Sequence, residues 1–233
     1  MRRLLPALVV VVLAPLLGGA ASPGTTPPEL EALGWRKVYW HGIRPAEFTA
    51  TASGGVRIRA QGQGSLISRK MRGELACLSW RWRVDAGPPA TDLTRRGGDD
   101  RAIAISVGFA GFGPQAGFAL RAQHAVAQAA AGQVTLPRSV LTYMWGGTGQ
   151  EAQGAFFASP WSAGITQLRV LRPASAPLGQ WVEERVDLGR DWRAAFGANQ
   201  VPQMMELMVA TDADDTGARV EAQVEDIRLV PCR

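Results

Sequence analysis

Lysine, histidine, cysteine and tyrosine are scarce, with two of each in 233 residues. Cys77, Cys232, His41 and His124 have no metal-ligand spacing, which excludes a zinc centre. Neither histidine has a local signature of nucleophilic catalysis, and His124 falls in an alanine-rich helical stretch, so a Ser-His-Asp triad has little to build on. A phosphate-binding loop, a nucleophile elbow and a zinc-protease helix are all missing. So are internal repeats and blocks of like charge. Basic residues number 25 against 20 acidic ones, and all but Lys37 and Lys70 are arginine. Arginine does not deprotonate, which helps to explain a pI near 10.0. The charge falls from +5 to +3 once Arg2 and Arg3 are set aside as part of a leader. Dispersed charge of that size argues against a nucleic-acid partner.

Long apolar runs are absent beyond residue 17, so no membrane span is expected in the mature chain. The one run, Leu4 to Leu17, is 14 residues long, too short to cross about 30 Å of hydrocarbon. Arg2 and Arg3 precede it and Gly18-Gly19-Ala20-Ala21-Ser22 follows, the pattern of a secretory signal over residues 1–21. The expected location is therefore periplasmic or secreted. Residues 22–34, opening with SPGTTPP, read as a flexible lead-in, and 35–233 as one domain. An oxidising compartment permits a Cys77–Cys232 disulfide, and two unpaired thiols are the alternative that the sequence leaves open.

Apolar residues make up 46% of the chain and charged ones 19%, enough for a packed core. Short alternating runs bounded by Gly and Pro recur at Val56–Ala60, Leu75–Asp85, Asp99–Phe109, Leu141–Trp145, Ile165–Leu171, Trp181–Leu188, Met204–Thr211 and Arg219–Val230. In the last run the apolar phase slips at Glu225-Asp226, which predicts a β-bulge. Two helices are expected, over Gln115–Ala131 with Gly132 as its stop, and over Asp191–Phe196. Many short strands and few helices predict an all-β antiparallel sandwich.

Eight tryptophans could form a sugar-stacking platform. Trp80 and Trp82 share the phase of Ala76, Leu78 and Val84, which places them in the core. Trp145, beside Gly146-Gly147, and Trp181, on a polar strand face, are the better platform candidates. Arg81 and Arg83 project away from the core face, as do Glu183, Arg185 and Asp187 on a later strand. Asp100 leads a small-residue face of Ala102, Ala104 and Ser106. Long arginines beside small side chains leave room for a ligand groove of Arg81, Arg83, Asp100, Trp145, Glu183 and Arg185. The alternative is a solvated face of cross-strand ion pairs.

Gly147-Thr148-Gly149-Gln150-Glu151-Ala152 matches a dinucleotide fingerprint, but no convincing helix follows it, and it reads as a glycine-rich turn. Asp212-Ala213-Asp214-Asp215-Thr216-Gly217 looks like the first half of a calcium loop, with Asp212, Asp214 and Asp215 as ligands of a structural calcium. The plain alternative is an Asp/Gly-rich hairpin connection with an arginine such as Arg219 as counter-ion.

Trp80-Arg81-Trp82-Arg83-Val84, Gly98-Asp99-Asp100, Tyr143-Met144-Trp145-Gly146, Ser159-Pro160, Trp181-Val182-Glu183-Glu184-Arg185, Phe196-Gly197, Thr211 to Gly217 and Asp226-Ile227 occur in that order. The set resembles an exported bacterial family, domain-of-unknown-function family 3047, from about Trp35 to Leu229. The resemblance implies a jelly-roll sandwich similar to galactose-binding and carbohydrate-binding modules, and brings no catalytic residues. The chain departs from the family pattern at Arg101–Ile103, Arg185-Val186 and Asp215, and Gln115–Gly132 looks like an enlarged insertion. The function expected is a periplasmic, non-catalytic binding module for a glycan or another polar envelope molecule. The rivals are a glycosidase-like hydrolase using carboxylates among Asp99, Asp100, Glu183 and Glu184, and a structural partner of another envelope protein.

Overall fold

Each of the eight alternating runs becomes a strand in the computed structural model, which describes residues 21–131 and 134–232. The first six strands are β1 (Ala21–Pro23), β2 (Arg36–Trp40), β3 (Glu47–Ala50), β4 (Val56–Gln61), β5 (Ser65–Lys70) and β6 (Cys77–Ala86). The rest are β7 (Arg101–Phe109), β8 (Ser139–Gly146), β9 (Phe157–Ala158), β10 (Thr166–Arg172), β11 (Val182–Asp187), β12 (Met204–Asp212) and β13 (Arg219–Val230). They form an eight-stranded sheet, ordered β1-β2-β5-β12-β7-β8-β10-β9, and a five-stranded sheet, ordered β11-β6-β13-β4-β3. Consecutive strands repeatedly change sheet, as in a jelly roll. One pair corrects the antiparallel expectation: β10 runs parallel to β8, because the chain turns back within the 147–165 connection, whose β9 lies antiparallel to β10 at the sheet edge.

The core lies between the sheets and is built by strand phase. Leu78, Trp80, Trp82 and Val84 from β6 meet Ile103, Ile105, Val107 and Phe109 from β7, and all eight are buried. Trp82 packs edge-on against Trp80 and Trp145, with ring centroids 5.4 and 5.6 Å apart. These geometries add to plain area burial. Leu93, from the loop between β6 and β7, covers Ala104, Met144 and Ala210 on the outer side of the larger sheet. That is why β8 is buried on both faces.

Among the described residues three α-helices decorate the sandwich: α1 (Pro28–Ala32), α2 (Phe118–Ala130) and α3 (Leu188–Phe196). The last is capped at one end by Asp187, which accepts from the Arg190 amide, and stopped at the other by Gly197 at φ 69°. The Gly132 stop expected for α2, and residues 1–20 of the expected signal, lie outside the described residues. The 22–34 stretch is not the flexible lead-in expected of it. It carries α1, whose Leu30 is fully buried in the core, and Thr26 Oγ1 accepts from the Lys37 amide at 2.8 Å. The predicted bulge is present: pairing of β13 with β6 shifts between Glu225 and Arg228, and Asp226 adopts φ 56°. Cys77 and Cys232 are joined in a disulfide that ties the start of β6 to the chain end beyond β13.

Candidate functional site

Arg81, Arg83, Glu183 and Arg185 do share one surface, the outer face of the five-stranded sheet, with Glu183 opposite Arg81 in the register. The surface is a lattice of polar contacts. Arg81 pairs with Glu225 at 2.7 Å and Asp226 at 3.1 Å, and its guanidinium lies 5.0 Å from the ring centre of half-exposed Trp181. Ser53 Oγ, at 2.5 Å, and Thr51 donate to Glu225 from the β3–β4 turn, and these bonds with Arg81 hold its carboxyl below the usual carboxylate range against a smaller effect of burial. Arg83 pairs with Asp85 at 2.7 Å, and Arg185 donates to the Pro231 carbonyl.

The other two residues of the expected groove lie elsewhere. Trp145 is 1% exposed and sits in the core, because it keeps the inward phase of Leu141 and Tyr143 to the end of β8. It cannot serve as a stacking platform. Asp100 is also 1% exposed and lies just before β7, in the eight-stranded sheet. β6 and β7 are consecutive in the chain but belong to different sheets. Arg81 and Arg83 therefore face out of one side of the sandwich, and Ala104 and Ser106 out of the other.

A hollow of about 550 Å³ opens at one end of the sandwich instead. Its apolar lining includes Leu78, Leu207, Ile227 and Leu229, and its cations are Arg36, Arg69, Lys70, Arg72 and Arg228. No carboxylate lines it, and none of the five cations has an ion-pair partner among the described residues. Arg69 is the unusual member. It pairs with Leu207 in the register and shares the inward phase of Ile67, so it projects between the sheets. Its guanidinium lies 4.6 Å from the ring centre of Trp35 and donates to the Ile227 carbonyl at 3.4 Å. Burial pulls its pKa down from the ordinary arginine value. Sequence reasoning missed this hollow. Its readable signs are the basic run Arg69-Lys70-Met71-Arg72 and a charged residue in core phase at a strand end. A second hollow, of about 440 Å³, is of mixed charge, with Lys37, Arg59 and Arg219 beside Glu47 and Glu221.

The expected metal ligands are regrouped. Asp214 and Asp215 come together with Asp100, their ligand oxygens all within 4.8 Å of one another. Asp212 turns instead to Arg101, at 3.3 Å. Burial raises the Asp212 pKa well above the carboxylate range, with Arg101 opposing and the neighbouring carboxyls reinforcing. Burial, then the charges of Asp214, Asp100 and Asp99, push Asp215 up to about 6. Asp100 accepts from the Thr216 amide at 2.8 Å and hydroxyl at 2.5 Å, which ties the loop before β7 to the β12–β13 turn.

Among the described residues no helix is long and apolar enough to cross a membrane. No curated protein matches the sequence. The fold is similar to that of the xyloglucanase domain of NopAA, a type three effector from Sinorhizobium fredii, with TM-score 0.49 and 6% identity over 91% of this chain and 98% of that one. It is also similar to endoglucanase Cel12A from Rhodothermus marinus, with TM-score 0.43 and 12% identity over 89% and 96% of the two chains. A mannan-recognising carbohydrate-binding module, TmCBM27, gives TM-score 0.28 and 10% identity over 90% and 96%. The sequence itself, over residues 34–228, matches the family described as "Protein of unknown function (DUF3047)", and the chain belongs to that family.

Proposed function

We propose that this chain is an exported, non-catalytic binding module, and that its ligand is a glycan bearing carboxylate or phosphate groups, seated in the cationic hollow. The observation that carries the reading is Arg69, a cation held between two sheets with no carboxylate to neutralise it. Arg69 is half-buried, its guanidinium rests on the Trp35 ring and its hydrogen bond to the Ile227 carbonyl is long at 3.4 Å, and a guanidinium offers a planar fork matched to carboxylate and phosphate oxygens. Arg36, Lys70, Arg72 and Arg228 surround it with further donors, and Leu78, Leu207 and Ile227 offer an apolar wall to a sugar face. Such a mixture of apolar lining and a few convergent polar groups is the usual make-up of a ligand site.

The hydrolase alternative needs two carboxyls about 5–5.5 or 6.5–9.5 Å apart across a cleft. The candidate carboxylates are otherwise engaged. Asp99 pairs with Arg101, Asp100 clamps Thr216, and Glu184 accepts from Arg172 and from the Trp82 indole. Glu183 faces solvent on β11, in the other sheet from Asp99 and Asp100. For the partner alternative, the exposed large apolar side chains among the described residues are Leu75, Phe118, Val126, Leu178 and Trp181, and only Phe118 and Val126 share an element.

Calorimetric titration of the purified protein with a polyuronate oligomer and with its neutral counterpart tests the reading. The acidic oligomer should bind, more weakly as salt rises, and the neutral one should bind at least about tenfold more weakly. Arg69→Gln should weaken binding by about tenfold to a hundredfold, the usual worth of a charged hydrogen bond. Equal binding of both oligomers, or an Arg69→Gln protein that binds as the wild type does, would overturn it.

A further inference from the structure

We propose that Glu206 is a proton-operated counter-ion of the cationic hollow: ionised, it holds Arg36 and Lys70 back from an acidic ligand, and protonated, it releases them. This control rests on the hollow being an anion site, as proposed above. Glu206 itself stands outside the lining of the hollow.

Its placement follows from strand phase. Ile67 and Arg69 of β5 point between the sheets, so Ser68 and Lys70 point out of the larger sheet. Glu206 of β12 is the register partner of Lys70, and Arg36 of β2 is that of Ser68. Glu206 therefore shares an outer face with two of the five cations of the hollow, one directly across and one a strand further on.

A carboxylate on an open sheet face would be solvated, but Glu206 is 9% exposed. Its register partner on the other side is Gly108 of β7. A Cβ at Gly108 would lie 2.7 Å from the Pro137 Cβ and 3.6 Å from the Glu206 Cβ, so the glycine lets the loop before β8 close over this face. The Ser68 hydroxyl donates to the carboxyl, and Arg36 and Lys70 are the charges that act on it. Neither comes within ion-pair distance. Gly108 and Ser106 on β7, Met208 on β12 and Pro137 bring no charge. Beyond Pro137 come Arg138, which donates to the Ala110 carbonyl, and His124 of α2, which donates to the Pro137 carbonyl at 3.0 Å.

Burial without a close ion pair favours the neutral acid, and it raises the Glu206 pKa above the ordinary 4.5 against the Ser68 bond and the two cations. Ionisation then sets a negative charge beside cations that an acidic ligand must use. The coupling is reciprocal: an anion bound to Arg36 and Lys70 makes Glu206 hold its proton more tightly.

Calorimetric titration of the purified protein with a polyuronate oligomer, from about pH 5 to about pH 8, tests the control, since the carboxylates of the oligomer stay ionised over that range. The wild type should bind about threefold to tenfold more tightly at the acid end, the effect of one nearby charge. It should also take up protons on binding, read as a binding heat that changes with the ionisation enthalpy of the buffer. Glu206→Gln keeps the shape and removes the charge. It should bind throughout about as tightly as the wild type does at the acid end, and without that proton uptake. A wild type with one affinity across the range and no proton uptake would overturn the proposal and leave the anion site standing. A Glu206→Gln protein that keeps the wild-type pH profile would do the same. Failure of the oligomer to bind at any pH would overturn the anion site and this control with it.

Discussion

Loss of the Cys77–Cys232 disulfide, most simply by Cys232→Ser at its exposed end, should remove a large share of the stability of this protein. The bridge spans 155 residues, so it closes about three quarters of the described chain into one loop. For a loop of that length the chain-entropy relation gives about 17 cal/mol/K, or about 5 kcal/mol at 25 °C, held in the unfolded state. Residual structure in the unfolded chain lowers the figure, so a loss of about 3–5 kcal/mol is expected. Little of it should come from the native packing. Val230 pairs with Cys77 in the ladder with or without the sulfur bridge, and the Cα atoms, 5.0 Å apart, need no distortion to be joined. Urea unfolding should therefore show a lower midpoint and a steeper denaturant slope for the variant, because the unbridged chain exposes more surface. Adding reductant should move the wild type onto the variant curve. An unfolding free energy within about 0.5 kcal/mol of wild type under oxidising conditions would refute the reasoning, and two free thiols titrated in the native protein would refute the bond itself.

Trp82→Ala should cost about 3–5 kcal/mol in urea unfolding, since Trp82 is fully buried between two other indoles and donates to Glu184. Wild-type stability in that variant would contradict its placement in the core. Arg81→Ala should cost less than about 1 kcal/mol, because Arg81 is 45% exposed and one of its partners, Asp226, is 53% exposed. A larger loss in the same measurement would mean the outer lattice is cooperative. Glu206 supplies a pH dependence. Burial raises its pKa above the ordinary 4.5, against the lowering effects of its Ser68 hydrogen bond and of the Arg36 and Lys70 charges. The folded protein thus holds this proton more tightly than the unfolded chain. The contribution is fully present below about pH 4.5 and is lost as pH rises through the folded value. Glu206→Gln should flatten that part of the stability–pH curve, and an unchanged slope would rule Glu206 out as its source.

The parts of the fold that were legible in the sequence are those where one face of a strand is buried and the other wet. Trp80-Arg81-Trp82-Arg83 announces its own orientation, and the structure keeps it. β2, Arg36-Lys37-Val38-Tyr39-Trp40, gives no such signal. Only Trp40 in it is buried, and its cations and aromatics do not alternate cleanly. α1 was hidden behind three prolines and two glutamates, although Leu30 anchors it in the core. Trp145 was readable and misassigned: Leu141, Tyr143 and Trp145 keep one phase, and the glycines after them say nothing about burial. The cationic hollow draws on residues from Leu33 to Leu229, and the sheet order that assembles them is a long-range property with no local code. Asp100 is hidden for the same reason, since only the folded chain brings it beside Thr216.

The bulge at Glu225-Asp226 shows how one such local signal reaches both surfaces. Adjacent strand residues normally point to opposite faces, so only one of the two could meet Arg81. With Asp226 at φ 56° the ladder gains an unpaired residue, and Glu225 and Asp226 both reach that guanidinium. The same shift puts Leu229 against Leu78, in the inward phase that Val220, Ala222 and Val224 hold before it. Ile227, within the bulge, leaves its carbonyl for Arg69. Without the extra residue the end of β13 would be out of phase, and Leu229 would face solvent instead of lining the hollow. The bulge therefore links two features that look independent. It closes the outer arginine face with carboxylates and, a few residues on, supplies the apolar wall beside a cation that has no carboxylate at all.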